Sequence, residues 1–567
     1  MSRFSCYCAY GNAWTTVPKE RPIAQRVGKG EIKKMTNSTE ISRNAAPQTL
    51  SATATALADE DEVDKRTAEI QKGRALAHVP KPTGSRRSGW ARRRKGQRKA
   101  KRIKVKATPG ILTKEQRHEA GKALREKCPR ISHRDVALGQ GERDIVKLIE
   151  ASNKDRLENL IPVRHGRMVQ SAFAYFRGTA LIQAHDLKGT PNSGIIVHSC
   201  GDCHLMNFGG FATPERNIVF DINDFDETLP APFEWDLKRL AASFVIAARW
   251  RGFRDDQARE MAVQTAASYR ESMRRRANTG VLEAWYSRIT LADVRALVAK
   301  VGDRVDVSGR VKKKLAEARK QTHEQVFHKL TTPSKGLPRI VDQPPLIYHS
   351  NLLNEREFAV LLEQYRETLA EERRILFDRF KLVDSAFKVV GVGSVGTRCV
   401  VMLLLAAPDD PLFLQFKEAR PSVLERYTGH PRVPHNGQRV VVGQRLMQSA
   451  SDIFLGWCRG ARGRDAYVRQ LRDMKVAADI ETQPPKVMHA YASLCGLTLA
   501  RAHDKAGDAA MIAGYLGSSD QFDEAIGDYA VAYADEVERD YRTFVRAIRS
   551  GRLKTDVSPS RLEAALR

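Results

Sequence analysis

From about residue 113 onward, apolar and polar positions alternate in two rhythms. A helical spacing runs through 113–127, 140–158, 234–250, 255–277, 290–300, 308–328 and 354–372, and returns at 486–505 and 520–549. Between these lie short apolar runs closed by turn residues, which read as strands: 194–199 and 217–221, then a denser group at 386–391, 397–406, 411–417, 439–447 and 466–471. No internal repeat is visible. The pattern predicts an α+β chain, mainly helical over 113–385, strand-rich over 386–475, and helical again over 476–567, where the last segment completes the larger lobe.

Residues 1–108 carry neither rhythm. Segment 36–65 is rich in Ser, Thr and Ala, and 86–106, "RRSGWARRRKGQRKAKRIKVK", holds twelve Lys or Arg and no acid. Such a stretch cannot bury enough apolar area to offset chain entropy, so 1–108 is expected to be a disordered basic tail. Much of the net charge of +28 resides there. The tail reads either as a solvated solubility segment or as an arm that contacts nucleic acid. Met35 is an alternative start of the chain.

At 567 residues and 42% hydrophobic, the chain can bury a large core in two or more domains. Its longest apolar run, "CVVMLLLAA" at 399–407, is strand-sized, which predicts no membrane partner. The first residues lack the apolar core of a secretory signal, so a cytoplasmic location is expected. Eight cysteines are sparse for this length and favour reduced thiols over a disulfide framework.

The chemistry centres on "VHSCGDCHLMNFGG" at 197–210. Cys200, Cys203 and His204 spell C-x-x-C-H, a haem-attachment pattern. That chemistry belongs to an oxidising compartment and apolar surroundings, so no haem is expected, and no second C-x-x-C completes a zinc site. Gly201, Asp202 and Asn207 spell G-D-x-x-x-x-N instead. In that spacing a loop offers a carboxylate to a hydroxyl and, five residues on, an amide to a metal. The strand at 218–220 then delivers Asp221, Asp224 and Asp226 into a polar loop. Carboxylates this close repel one another unless solvated or paired with a cation, and with Asn207 they make a hard-oxygen set suited to Mg²⁺.

These residues resemble the catalytic segment of aminoglycoside phosphotransferases and other small-molecule kinases, where an H-G-D-x-x-x-x-N loop is followed by a strand and an I-D metal ligand. Cys200 stands where that family has histidine, so His198 or His204 is expected to supply the missing hydrogen bonds. Asp202 and His204 are the candidate catalytic residues.

A partner for nucleotide phosphates lies almost two hundred residues later. "KVVGVGSVGTRCVVMLLLAAPDDPLFLQFKEA" places Gly391, Gly393, Ser394 and Gly396 in a glycine loop, then a strand, a turn, and a strand carrying Lys417. Glycines let backbone N–H groups close over phosphates, and a strand lysine reaches their oxygens. Glu425 is the expected ion-pair partner of Lys417, since Glu418 should face the other side of the strand. The runs "VVVGQRLMQ" and "AYVRQLRDMK" then read as fourth and fifth strands, with 472–476 beside adenine.

In ordinary kinases the glycine loop precedes the catalytic loop; here it follows. The expectation is therefore a kinase-like two-lobe fold, circularly permuted, that uses ATP and Mg²⁺. Residues from about 115 to the end also resemble a bacterial family known only as domain of unknown function two-two-five-two, through "RHGRMVQSAFAYFRG", "CGDCHLMNFG", "DINDFDETLPAPFEWDLKRLAAS", "GVGSVGTR", "QFKEA" and "YVRQLRDMK". That resemblance implies membership and no particular activity.

Arg164, Arg167 and Arg177 either bind a substrate phosphate or carboxylate or pair with the acids of 221–227. Asp236, with Trp235 and Arg239 at a helix start, is expected to cap or brace the metal loop. His503 reads as a structural residue at a helix end. Three functions stay open: phosphotransfer to an unknown hydroxyl-bearing substrate, nucleotidyl transfer to a protein hydroxyl, and a nucleotide-binding pseudokinase or scaffold with an RNA-contacting tail.

Overall fold

The computed structural model describes residues 110–558 apart from 137, 139–142, 300–308, 310–315, 318–322, 335, 350–354, 390, 461–462 and 472–474. The expectations placed on 1–108, including the basic arm at 86–106, and on 472–474 beside adenine lie outside the described residues.

The described chain is a mixed α+β structure. Helices α1 (Ile145–Asn153), α2 (Ile161–Met168), α3 (Ala172–Arg177) and α4 (Ala180–Leu187) lead into strands β1 (Ile196–Ser199), β2 (Phe208–Ala212), β3 (Ile218–Ile222) and β4 (Leu229–Pro232). Helices α5 (Phe233–Trp250) and α6 (Asp255–Arg276) follow. Further on come β5 (Ile347–Tyr348), β6 (Lys381–Lys388), β7 (Cys399–Ala407), β8 (Asp410–Glu418), helix α7 (Asn436–Met447), β9 (Gly456–Arg459), β10 (Asp465–Gln470) and β11 (Val476–Ala477). Helices α8 (Pro485–Ala506), α9 (Ala509–Leu516) and α10 (Gln521–Arg549) end the described part.

Two bodies of structure position the site. In the helical one, α5 is buried from Phe233 through Ala248 and packs with α6, α8 and α10 around one apolar core. In the other, six antiparallel strands run in the order β9-β10-β8-β7-β6-β5. Both faces of this sheet are covered. Val400, Met402 and Leu404 of β7 pack on one side with Tyr365 and Phe377 from the helices Glu355–Arg366 and Glu371–Phe377, while Val401 and Leu403 pack on the other with Val326 and Ile340. A strand buried on both faces reads as an unbroken apolar run, which explains 399–407. Among the described residues no helix is long and apolar enough to cross a membrane.

The sheet also corrects one expected strand. Residues 439–447 form most of helix α7, and the strand beside β10 is β9. The β-branched triplet at 440–442 suggests a strand, yet Val440, Val441, Gln444 and Met447 lie on one buried helical face, and His435 Nδ1 caps the helix by accepting from Gln438 N at 3.2 Å.

Candidate functional site

The loop 200–207 joins β1 to β2 and is braced from beneath. Gly201 has φ +83°, and an added Cβ would collide with the Glu227 carbonyl, so only glycine fits. Asp236, at the start of α5, accepts hydrogen bonds from Cys200 N at 2.8 Å and Gly201 N at 3.0 Å. His503 of α8 stands 3.2 Å from the same carboxylate through Nε2 and 2.9 Å from the Tyr269 hydroxyl through Nδ1. Asp236 thus braces the loop as its position suggests, and His503 does more than end a helix. The hydrogen bonds expected of His198 or His204 come from this pair instead. His198 Nε2 has no partner, and His204 is buried with Nδ1 unpartnered; burial, with Arg177 and Arg239 nearby, holds it far below the usual histidine range and therefore neutral.

Cys200 and Cys203 sit in the core, where burial pushes both thiols up, Cys203 to about 11. Their sulfurs and an Asp236 oxygen lie within 4.8 Å of one another. Asp236 is already engaged by two backbone N–H groups and His503, which leaves this trio only two uncommitted sulfurs.

Asp202 and Asn207 face a cleft of about 420 Å³, shared with Asp224, Asp226, Gly391, Gly393 and Ser394. Arg239 Nε donates to Asp202 Oδ1 at 2.8 Å, and the same guanidinium lies 3.8 Å above the Phe176 ring, so one carboxylate oxygen is fixed. The other, Oδ2, is 4.0 Å from His204 Nε2, beyond hydrogen-bond reach. Asn207 Nδ2 donates to the Asp202 carbonyl at 2.6 Å, which closes the loop on itself.

From the sheet, β8 brings Lys417 opposite Cys399 of β7 and Tyr467 of β10. Its ammonium is ion-paired with Asp226 Oδ2, although 191 residues separate them. Tyr467 donates to Asp226 Oδ1 at 2.8 Å, and Ser394 of the glycine loop donates to Oδ2 at 3.4 Å. Burial works against the charged Lys417, but Asp226, with Tyr467 and Asp224 behind it, raises it well above the usual lysine range. Burial likewise opposes the Asp226 carboxylate, and Lys417 overrides it. Asp224, beside Asp226, is pushed up by burial and by that neighbour, with Lys417 and Arg469 pulling the other way.

Two expected roles shift. Glu425 does not reach Lys417: it accepts from Ser422 N at 3.1 Å, and its other oxygen is 3.6 Å from His430 Nδ1. It belongs to the turn after β8, whereas Asp226 comes up from the loop after β3. Glu418 faces away as alternation requires, 3.2 Å from Arg398. Asp221, expected to hold metal, is fully buried and already satisfied. Arg501 of α8 donates to Oδ1 at 2.6 Å, while Ser449 donates to Oδ2 from N at 2.8 Å and from Oγ at 2.7 Å. Asp224 and Asn207 therefore remain for a cation, and Asp226, whose oxygens take Lys417, Ser394 and Tyr467, could join them only by sharing an oxygen.

The glycine loop rests on the segment after α1 and on α2. Arg156 Nη1 donates to Val395 O at 2.6 Å, Leu157 N to Gly396 O at 2.8 Å, and Arg167 to Gly391 O. Gly391 and Gly396 hold φ of +65° and +87°. Tyr467, Arg501 and Arg156 were not legible as site-building residues, because each acts across the chain rather than at a spacing along it.

A family model described as "Uncharacterized protein conserved in bacteria" matches residues 156–547, a span that includes loop 200–207, Lys417 and α8. Among curated proteins and among solved structures nothing matches the chain.

Proposed function

Because the chain belongs to the DUF2252 family of bacterial proteins, whose description names no reaction, we propose its function from the cleft: Mg²⁺- and ATP-dependent phosphotransfer to a hydroxyl, on a kinase-like two-lobe fold in circularly permuted order. The observation that carries this reading is the Lys417–Asp226 ion pair, which brings the strand after the glycine loop against the acids that follow loop 200–207. The permutation draws support from the far end of α8. An added Cβ at Gly507 would stand 2.6 Å from Val197 Cγ1, so the helix ends against the strand that opens loop 200–207. Opening the chain before β6 and reading on from α10 into α1 gives the order glycine loop, lysine strand, helix α8, G-D loop, acids, with α9, α10 and α1 to α4 inserted between α8 and the G-D loop.

In this reading Asp202, fixed on Oδ1 by Arg239, takes the acceptor's hydroxyl proton on Oδ2 as the acceptor's oxygen bonds to the γ-phosphorus. The bond from that phosphorus to the β,γ-bridging oxygen breaks, and ADP leaves with the electron pair. Lys417 and the glycine-loop N–H groups hold the phosphates. His204, buried and neutral, shapes the loop rather than exchanging a proton. Asn207 and Asp224, with Asp226, would hold Mg²⁺; the raised affinity of Asp224 for a proton marks a carboxylate that gains from a cation. When bound, the ion supplies positive charge to the phosphates.

The test is calorimetry with MgATP together with transfer of a γ-phosphate label to a metabolite or proteome mixture, for wild type and Asp202→Asn. Transfer is expected to fall about a thousandfold while MgATP affinity stays within about threefold, because the carboxylate touches the acceptor and not the nucleotide. Failure to bind MgATP, or persistent transfer by Asp202→Asn, rejects the assignment. Binding without transfer supports a nucleotide-binding scaffold, and an adenylylated acceptor in mass spectra supports nucleotidyl transfer.

A further inference from the structure

The cleft that holds the acids is also lined by Arg156, Arg164, Arg177 and Arg420. Several arginines of comparable burial elsewhere in this fold face acids. Arg239 meets Asp202, Arg143 meets Asp186 and Asp540, and Arg270 meets Asp523. The four cleft arginines, like buried Arg439, which donates to the carbonyls of Thr228, Asp226 and Arg420, have among the described residues no carboxylate within ion-pair distance. Arg164 donates to Asn153 Oδ1 at 2.7 Å and Gly178 O at 2.6 Å. Arg156 donates to Ser152 O and Val395 O, and Arg420 to Lys154 O at 2.6 Å and, at 3.4 Å, to Ser152 O. The Arg177 side chain makes no hydrogen bond among the described residues and lies over the Phe173 ring, its guanidinium carbon 5.9 Å from the ring centroid, and the Nε atoms of Arg164 and Arg177 are buried without partners. Carbonyls and amides orient a guanidinium but do not neutralise it.

These charges also work against one another. Burial, then Arg164 and Arg420, pull Arg156 well below the usual arginine range against Glu227 and Glu418, and burial with Arg420 brings Arg164 to about 10. Arg164 is 1% exposed. Guanidinium groups without an ion-paired carboxylate, gathered in one cleft, leave donors for an anion even with Asp202, Glu227 and Glu418 nearby, and the planar donor fork of arginine suits a phosphate or carboxylate. Burial lowers Arg177 as well, and the acid that counters this is Asp202, which puts it beside the proposed base.

We infer that the acceptor is an anionic hydroxy compound, whose phosphate or carboxylate is clasped by Arg177 and Arg420, with Arg156 and Arg164 adding charge, while its hydroxyl faces Asp202. The word acceptor rests on the phosphotransfer reading; the anion site does not. The four arginines come from the segment after α1, from α2, from the end of α3 and from the turn after β8, so the site forms only when these meet.

The experiment is calorimetric titration of the full chain with inorganic phosphate, with acetate and, separately, with MgATP, for wild type, Arg177→Ala and Arg420→Ala. Arg177 has no hydrogen bond to lose, so its variant should keep the wild-type far-ultraviolet circular dichroism; Arg420→Ala gives a second, independent reading. Phosphate affinity is expected to fall about tenfold or more in each variant while MgATP affinity stays within about twofold. Acetate binding as tightly as phosphate points to a carboxylate acceptor, and weaker acetate to a phosphorylated one; either supports the inference. It is overturned if wild type binds neither anion, if the variants bind phosphate as wild type does, or if MgATP affinity falls as far as phosphate affinity, since the arginines would then serve the nucleotide. Arginine-dependent phosphate binding in a protein that does not bind MgATP would sink the phosphotransfer reading and leave the anion site standing.

Discussion

Asp221 and Asp224 come from one short acidic run, and the fold gives them opposite work. Asp221 lies under Arg501, whose Nε and Nη1 have no other partner, so the pair is closed off from water. Removing its charge leaves a buried guanidinium uncompensated, a change that typically costs about 3–5 kcal/mol. Asp224 faces the cleft beside Asp226, and burial together with its neighbour's charge already pushes it toward the neutral form against Lys417 and Arg469. Neutralising it removes a repulsion. Urea denaturation should therefore show Asp221→Asn destabilised by about 3 kcal/mol or more, and Asp224→Asn changed by less than about 1 kcal/mol in either direction. Equal losses would mean that the cleft acid is as structural as the buried one. The sequence could nominate three acids at this loop but not sort them, because the residue that takes Asp221 out of the site sits 280 positions away on α8.

At the scale of elements, legibility followed how local each signal is. The run 399–407 was readable because a strand buried on both faces leaves no polar position to confuse. Helix α7 was not, since three adjacent valines look alike in strand and helix until the cap at His435 and the buried Met447 are weighed. The glycine loop was readable as a turn, and Lys417 as its companion, but Glu425 in place of Asp226 was the cost of reasoning along the chain. How the loop is held also separates its glycines. At Gly391 an added Cβ meets open space, so Gly391→Ala suffers only the left-handed backbone, about 1 kcal/mol. At Gly396 the Cβ would stand 3.1 Å from Arg156 Cβ, and Arg156 is itself tied to Val395 O. Gly396→Ala should cost about 2–3 kcal/mol in denaturant melts, combining backbone strain with crowding. Matching costs for the two variants would show that Arg156 yields freely.

For the molecule as a whole, chain order matters less than what α8 ties together: Arg501 reaches Asp221 and His503 reaches Asp236, so a late helix secures an early loop. The same body buries histidines in neutral form. Burial lowers His133 to about 3, His165 to about 4 and His198 to about 4, the last helped by Arg439 and Arg432 and opposed by Asp236. A histidine depressed in the folded state adds stability that is complete above its unfolded value of 6.5 and is lost as pH falls toward the folded value. Raised carboxylates act the other way. Glu227, brought to about 7, and Asp523, to about 6, add stability at low pH that is lost as pH rises through those values. The full stability profile is thus blunted, and a single variant isolates one group. His198 is the natural choice, because its Nε2 has no partner to lose. In urea denaturation across pH, wild type minus His198→Gln should be constant above about pH 6.5 and then fall by about 1.4 kcal/mol per unit, reaching about 3 kcal/mol near pH 4. A difference that stays flat over that window would mean that His198 protonates in the folded protein as readily as in the unfolded chain, and that the strand entering loop 200–207 is wetter than its packing implies.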